Sequence, residues 1–125
     1  LHGDPRDAFP HFSGYSDETG QDAGVGTTFN CPLPPGTNFK TWCNKLKDSL
    51  TKIDQFGADV LVVSLGVDTF EKDPISFFKL KSEDFLSIGQ LLADLNLPTL
   101  FVMEGGYDIK ELGINVVNVL QGFEG

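Results

Sequence analysis

From Asn38 onward, apolar residues recur every three or four positions: Phe39, Trp42, Cys43, Leu46, Leu50 and Ile53. That spacing puts them on one face of an α-helix, and predicts an amphipathic helix that reaches about Gln55 and stops at Gly57. The period then changes. Ala58-Asp59-Val60-Leu61-Val62-Val63-Ser64-Leu65 is a nearly continuous, Val-rich run between Gly57 and Gly66, as expected of a parallel strand covered on both faces. A loop from Gly66 to about Lys81 leads to Ser82, a candidate N-cap followed by Glu83 and Asp84. Phe85, Ile88, Leu91, Leu92 and Leu95 then stripe a second helix. Pro98 to Met103 reads as another buried strand. A last helix is expected from Asp108 as N-cap, with Leu112, Val116, Val119 and Leu120 facing inward.

Upstream the pattern is weaker. Thr27 to Leu33 has the β-branched and aromatic content of a short strand, ended by Pro32, Pro34, Pro35 and Gly36. Residues 3 to 27, with Pro5, Pro10 and five glycines in view, read as one irregular segment. Phe9, Phe12 and Tyr15 are costly to leave in water, which favours an ordered loop packed against the rest. Strand and helix alternate three times. This predicts right-handed βαβ crossovers, a mainly parallel sheet and an α/β fold in a single domain over 1–125.

The chain's 125 residues suffice for one domain and its core. Nine basic residues against eighteen acidic ones give a net charge of −9, the wrong sign for phosphates, so nucleic acid and anionic membrane surfaces are disfavoured partners. The acidity would suit a cationic substrate. No apolar run approaches the length of a membrane helix, and no basic region followed by an apolar stretch opens the chain. The expectation is a soluble, cytoplasmic chain, and a start at Leu1 rather than Met suggests processing or truncation. Cys31 and Cys43 form neither a CxxC pair nor a disulfide framework, so reduced structural thiols are expected.

Ligands of open α/β sheets gather beyond the carboxyl ends of the strands. One such end runs into Gly66-Val67-Asp68-Thr69, with Asp73-Pro74 beyond, and the other into Glu104-Gly105-Gly106-Tyr107-Asp108. If the strands are neighbours, Asp68 and Tyr107 reach one crevice, where a carboxylate beside a phenol suits a metal ligand next to an oxyanion donor. The plainer alternatives stay open: Asp68 and Asp73 as turn formers, and Gly-Gly-Tyr as a tight turn before a helix. His2 and His11 are the histidines a site could draw on, and His2 reads as structural. GxGxxG, GxxxxGK, HExxH and GxSxG are all absent, which counts against dinucleotide enzymes, P-loop hydrolases, helical zinc proteases and serine esterases.

Three segments together resemble the zinc-dependent histone deacetylase and acetylpolyamine amidohydrolase superfamily. They are Leu1-His2-Gly3-Asp4-Pro5 through Gly24-Val25-Gly26-Thr27-Thr28, then Ser64 to Thr69 with Asp73-Pro74, and Glu104-Gly105-Gly106-Tyr107. The first is most similar to the acetylpolyamine amidohydrolase branch. The resemblance implies the carboxyl-terminal βαβαβα portion of a three-layer arginase/deacetylase-like fold. It also implies zinc at Asp68, an oxyanion hydrogen bond from Tyr107, a narrow acyl channel approached at Gly105 and Gly106 and lined by Phe9, and a structural potassium ion on the Leu1 carbonyl. The implied reaction is hydrolysis of an N-acetylated amine, such as an acetylpolyamine or acetyl-lysine, by zinc-bound water.

The family's Asp-x-His motif, which supplies two zinc ligands, and its His-His pair, which supplies base and acid, do not occur in this chain. The isolated chain is therefore expected to be inactive, with a missing amino-terminal segment completing the site. The alternative is a non-catalytic truncated module, a homodimer formed through an exposed sheet edge.

Overall fold

The computed structural model describes all residues from Leu1 to Gly125. Strand β1 (His2–Gly3) opens the chain, followed after a long loop by β2 (Pro32–Leu33) and β3 (Thr37–Asn38). Helix α1 (Phe39–Phe56), β4 (Leu61–Leu65), β5 (Phe78–Lys79), α2 (Ser82–Ala93), β6 (Thr99–Met103) and α3 (Leu112–Glu124) complete it. All pairing is parallel: β1 with β2, β3 with β5, and β4 with β6, the last in register from Leu61 opposite Thr99 to Leu65 opposite Met103. No helix is long and apolar enough to cross a membrane.

Helix α1 forms where its sequence pattern places it. The Asn38 side chain accepts a hydrogen bond from Thr41 N at 3.1 Å, satisfying one of the first-turn donors. Gly57 ends the helix at φ 73°, a left-handed conformation that costs glycine nothing. Between these caps Trp42, Leu46 and Leu50 are buried. They join Leu61, Leu65, Phe85, Ile88, Leu92 and Val119 in one core. The N-cap of α2 is Lys81 rather than Ser82: Asp84 Oδ2 accepts from Lys81 N at 2.7 Å, while Ser82 Oγ bonds Glu111 Oε2 at 3.3 Å. Asp108 does cap a turn, accepting from the amides of Lys110 and Glu111, but regular helix begins only at Leu112.

Helices α2 and α3 meet backbone to backbone. A Cβ on Gly89 would lie 2.0 Å from Val119 O, and one on Gly122 would lie 2.0 Å from Leu86 O. Two mid-helix glycines, each unfavourable by about 1 kcal/mol against alanine, are thus explained by the crossing they permit. Asn115 and Gly122 lie buried on the inner face of α3, and Leu120, expected inside, is exposed.

Three other expectations need correction. The strand expected over Thr27–Leu33 shrinks to Pro32–Leu33, which pairs with β1 rather than with β4. Its first residues bond within their own loop, Thr27 N to Gly24 O and Thr28 N to Thr19 O, so they are not free to extend a ladder. The β4–β6 pair, expected to be covered on both faces, is covered on one. Leu61 and Leu65 are buried, whereas on the opposite face Val62 is 60% exposed and its neighbour Leu100 57%. Finally, Phe9 and Phe12 are 86% and 81% exposed instead of packed inward. What anchors their loop is the buried Asp4, whose carbonyl accepts from the amides of Asp7 and Ala8, together with buried Ala8.

Candidate functional site

Pairing of β4 with β6 makes their carboxyl ends neighbours, and the ladder continues past both strands. Glu104 N donates to Leu65 O at 3.0 Å and Val67 N to Gly105 O at 2.7 Å. These bonds seat the Asp68 carboxylate directly against Gly105: an alanine Cβ there would come within 2.1 Å of Asp68 Oδ2. Only glycine leaves that space. Gly106 has a similar reason, since its Cβ would lie 2.7 Å from both Val67 Cγ2 and Leu112 Cδ1. Both glycines that the resemblance assigns to an acyl channel therefore also have a packing role within this chain.

Asp68 lines a cavity of about 400 Å³ that also touches Leu1, Trp42, Ser64, Thr69, Glu104 and Gly105. Burial pushes its carboxyl above the ordinary carboxylate value and the nearby Asp73 carboxylate adds to the push, opposed by a hydrogen bond from its own backbone. Trp42, another residue lining this cavity, has its indole N–H buried without a partner. A larger cavity, about 550 Å³ between Phe29, Lys52 and Phe56, touches Ala58 and Leu61 at the amino end of β4. Ligands of parallel sheets bind at the other end, and this cavity has no acid–base pair.

Asp73 does more than form a turn. Its Oδ1 accepts from Ile75 N at 3.1 Å, and its Oδ2 accepts from Tyr107 N at 2.6 Å and Asp108 N at 3.1 Å. The two strand tips are thus tied by a side chain as well as by the ladder. Tyr107 follows directly on the glycines and is 53% exposed. Tyr107 borders a separate small crevice with Asp73, Asp108 and Asn115 and does not line the Asp68 cavity. Asp68, Gly105 and Leu1 are therefore brought together, Tyr107 and Gly106 stand next to them, and Phe9 lies on the surface outside this cavity.

Sequence reasoning underrated Asp73 and missed Asn115, which is buried at the Tyr107 crevice with its side-chain oxygen unpartnered. A signal was there: Asn115 interrupts the apolar stripe between Leu112 and Val119. The histidines do not join the site. His2 Nδ1 bonds Gly3 O at 3.0 Å, His11 is exposed, and neither lines the cavity. No three His, Cys, Asp or Glu side chains converge to hold a metal ion. A catalytic zinc takes three protein ligands, so the donors of these 125 residues do not by themselves fit one. Asp68 is a single donor.

The whole chain is 58% identical to acetylpolyamine amidohydrolase of Mycoplana ramosa, covering 37% of that protein. It is 54% identical to acetylpolyamine amidohydrolase 2 of Pseudomonas aeruginosa, covering 36% of it. Acetylpolyamine aminohydrolase from Burkholderia pseudomallei, a crystal structure, is 37% identical with a TM-score of 0.95, over 98% of this chain and 36% of that one. The chain thus spans little more than a third of the relatives it matches. Such likeness establishes part of an arginase/deacetylase-type α/β fold, as expected from the sequence. The histone deacetylase domain matches residues 1–123, nearly the entire chain, and the chain belongs to that family.

Proposed function

We propose that this chain is the carboxyl-terminal part of a zinc-dependent deacetylase that hydrolyses N-acetylated amines, with small cationic acetylpolyamines as the favoured substrate class and acetyl-lysine as the alternative. The observation that carries this reading is the Asp68 carboxylate, held in a cavity at the paired strand tips against a glycine that no other residue could replace without displacing it. Its relatives are named acetylpolyamine amidohydrolases. A net charge of −9 suits a cationic amine.

In this reading Asp68 contributes one zinc ligand, and the remaining ligands, with the general base and acid, come from a segment outside these residues. Bound zinc supplies Lewis-acid polarisation of the acetyl carbonyl. Tyr107 donates its phenolic hydrogen bond to the oxygen that gains charge, and Gly105 and Gly106 let backbone approach the acyl group. Phe9 lines the substrate channel once that segment is present, and the Leu1 carbonyl contributes to a potassium site. The test is acetate release by the full-length protein from N-acetylputrescine and from an acetyl-lysine peptide. Higher kcat/KM for the polyamine is expected, and no release from either contradicts the reading.

A second reading follows from the open face of the β4–β6 pair, where Val62, Leu100 and Val102 are exposed. Such an apolar face invites self-association, and a non-catalytic module would use it to form a homodimer. Light scattering separates the two: a stoichiometric dimer of the 125-residue chain without zinc favours the module, and a strict monomer counts against it.

A further inference from the structure

We infer that Asp73 is a positioning residue for Tyr107, setting the path of the backbone from which the phenol reaches the reacting carbonyl; the inference rests on the deacetylase reading above. Asp73 is buried, yet no cation meets it: the ion pairs of the chain are Arg6 with Asp4 and Lys45 with Asp48. Backbone N–H groups meet its charge instead. A purely local turn needs only Oδ1 on Ile75 N. The second oxygen is committed to a segment 34 residues away, accepting from the consecutive amides of Tyr107 and Asp108 at 2.6 and 3.1 Å. Two successive N–H groups converging on one charged oxygen form an anion cradle, and they fix the direction of the chain through both residues.

The surroundings leave this contact no slack. Val67, Gly106, Leu112 and Asn115 close around it, and the space between them admits no water molecule. Tyr107 is half exposed, and the side-chain contact that fixes it is the hydrogen bond from its backbone N–H to Asp73, its hydroxyl making none within the chain. The phenol's placement therefore depends on its backbone. The same carboxylate ties that backbone to the loop carrying Asp68, so the segments that carry the ligand and the oxyanion donor are fastened to each other.

The test uses the zinc-loaded full-length protein with Asp73→Asn, which keeps shape and loses charge, and Asp73→Glu, which keeps charge. Amide hydrogen exchange at positions 107 and 108 is read beside kcat and KM for N-acetylputrescine, with each variant repeated in a Tyr107→Phe background. Asp73→Asn is expected to speed exchange at both amides and to lower kcat about 10- to 100-fold, the scale of an ångström of misplacement, with KM nearly unchanged. Asp73→Glu restores part of both, and in the Tyr107→Phe background neither variant lowers kcat further.

Unchanged exchange at 107 and 108, or a kcat loss of the same size without the phenol, overturns the inference. Should Asp73→Asn fail to fold, the unsubstituted protein decides: amides 107 and 108 exchanging like an open loop refute the clamp, and strong protection supports it. If Tyr107→Phe alone keeps full kcat, it is the deacetylase reading of Tyr107 that fails, and amide exchange still judges the clamp.

Discussion

Replacing Gly105 with alanine would test the junction of the two strand tips. The added methyl carbon would stand 2.1 Å from Asp68 Oδ2 and 2.8 Å from its Cγ, where ordinary contact begins at 3.4 Å. Backbone at 105 cannot retreat easily, because Gly105 O accepts from Val67 N at 2.7 Å and holds the ladder. The carboxylate must therefore swing away by roughly 1 Å, a displacement on the scale that costs about 100-fold in rate when it misplaces a reacting group. Forcing the methyl into a packed junction adds a stability loss of about 1–3 kcal/mol. In the full-length protein, Gly105→Ala is expected to lower kcat for N-acetylputrescine by about two orders of magnitude and to weaken zinc binding, while urea unfolding shifts by the smaller amount. If the variant keeps both kcat and zinc affinity within threefold of the parent, Asp68 is not held where its chemistry requires that glycine.

Gly122→Ala should destabilise by at least about 1–3 kcal/mol in urea unfolding, because its methyl would meet the Leu86 carbonyl at 2.0 Å rather than a flexible side chain. Phe85→Ala, at a ring that is almost fully buried, should cost about 3–5 kcal/mol by the same measurement. Hydrogen bonds from the Arg6 guanidinium, its backbone N–H and then its charge hold the Asp4 carboxyl at about 2, against about 3.9 in an unfolded chain. A depressed folded value means that this stabilisation is complete above the unfolded value and fades as pH falls from about 4 to about 2. Unfolding followed between pH 5 and 2 should show that loss, and Asp4→Asn should flatten it.

Much of this architecture was legible because local chemistry and tertiary contacts agree. The boundaries of α1 follow from Asn38 and Gly57, residues whose side chain or missing side chain does the capping whatever surrounds them. The inward stripes of α1 and α2 follow from spacing alone. Hydropathy records what a residue prefers and not what lies beside it, so the Val-rich β4 gave no sign that Val62 would face solvent. Nor could composition show that Thr27 and Thr28 would bond back to Gly24 and Thr19.

At the site, the meeting of Asp68 with the glycines after β6 was foreseeable once the strands were taken as neighbours. The Asp73 clamp was not, because a contact across 34 residues leaves no local signature, and Asp73-Pro74 looks like any turn. The glycines at 89 and 122 show the same limit: a mid-helix glycine announces that something approaches closely, without saying what.

The central proposal is that Asp68 and Tyr107 are part of a hydrolytic centre that residues outside this chain complete. Zinc content and acetate release from N-acetylputrescine, measured side by side on the 125-residue chain, the full-length protein and full-length Asp68→Asn, test it most directly. Stoichiometric zinc and acetate release are expected of the full-length protein alone, with both lost on Asp68→Asn. Acetate released by the 125-residue chain unaided, or an Asp68→Asn protein that keeps its zinc and its rate, would contradict it.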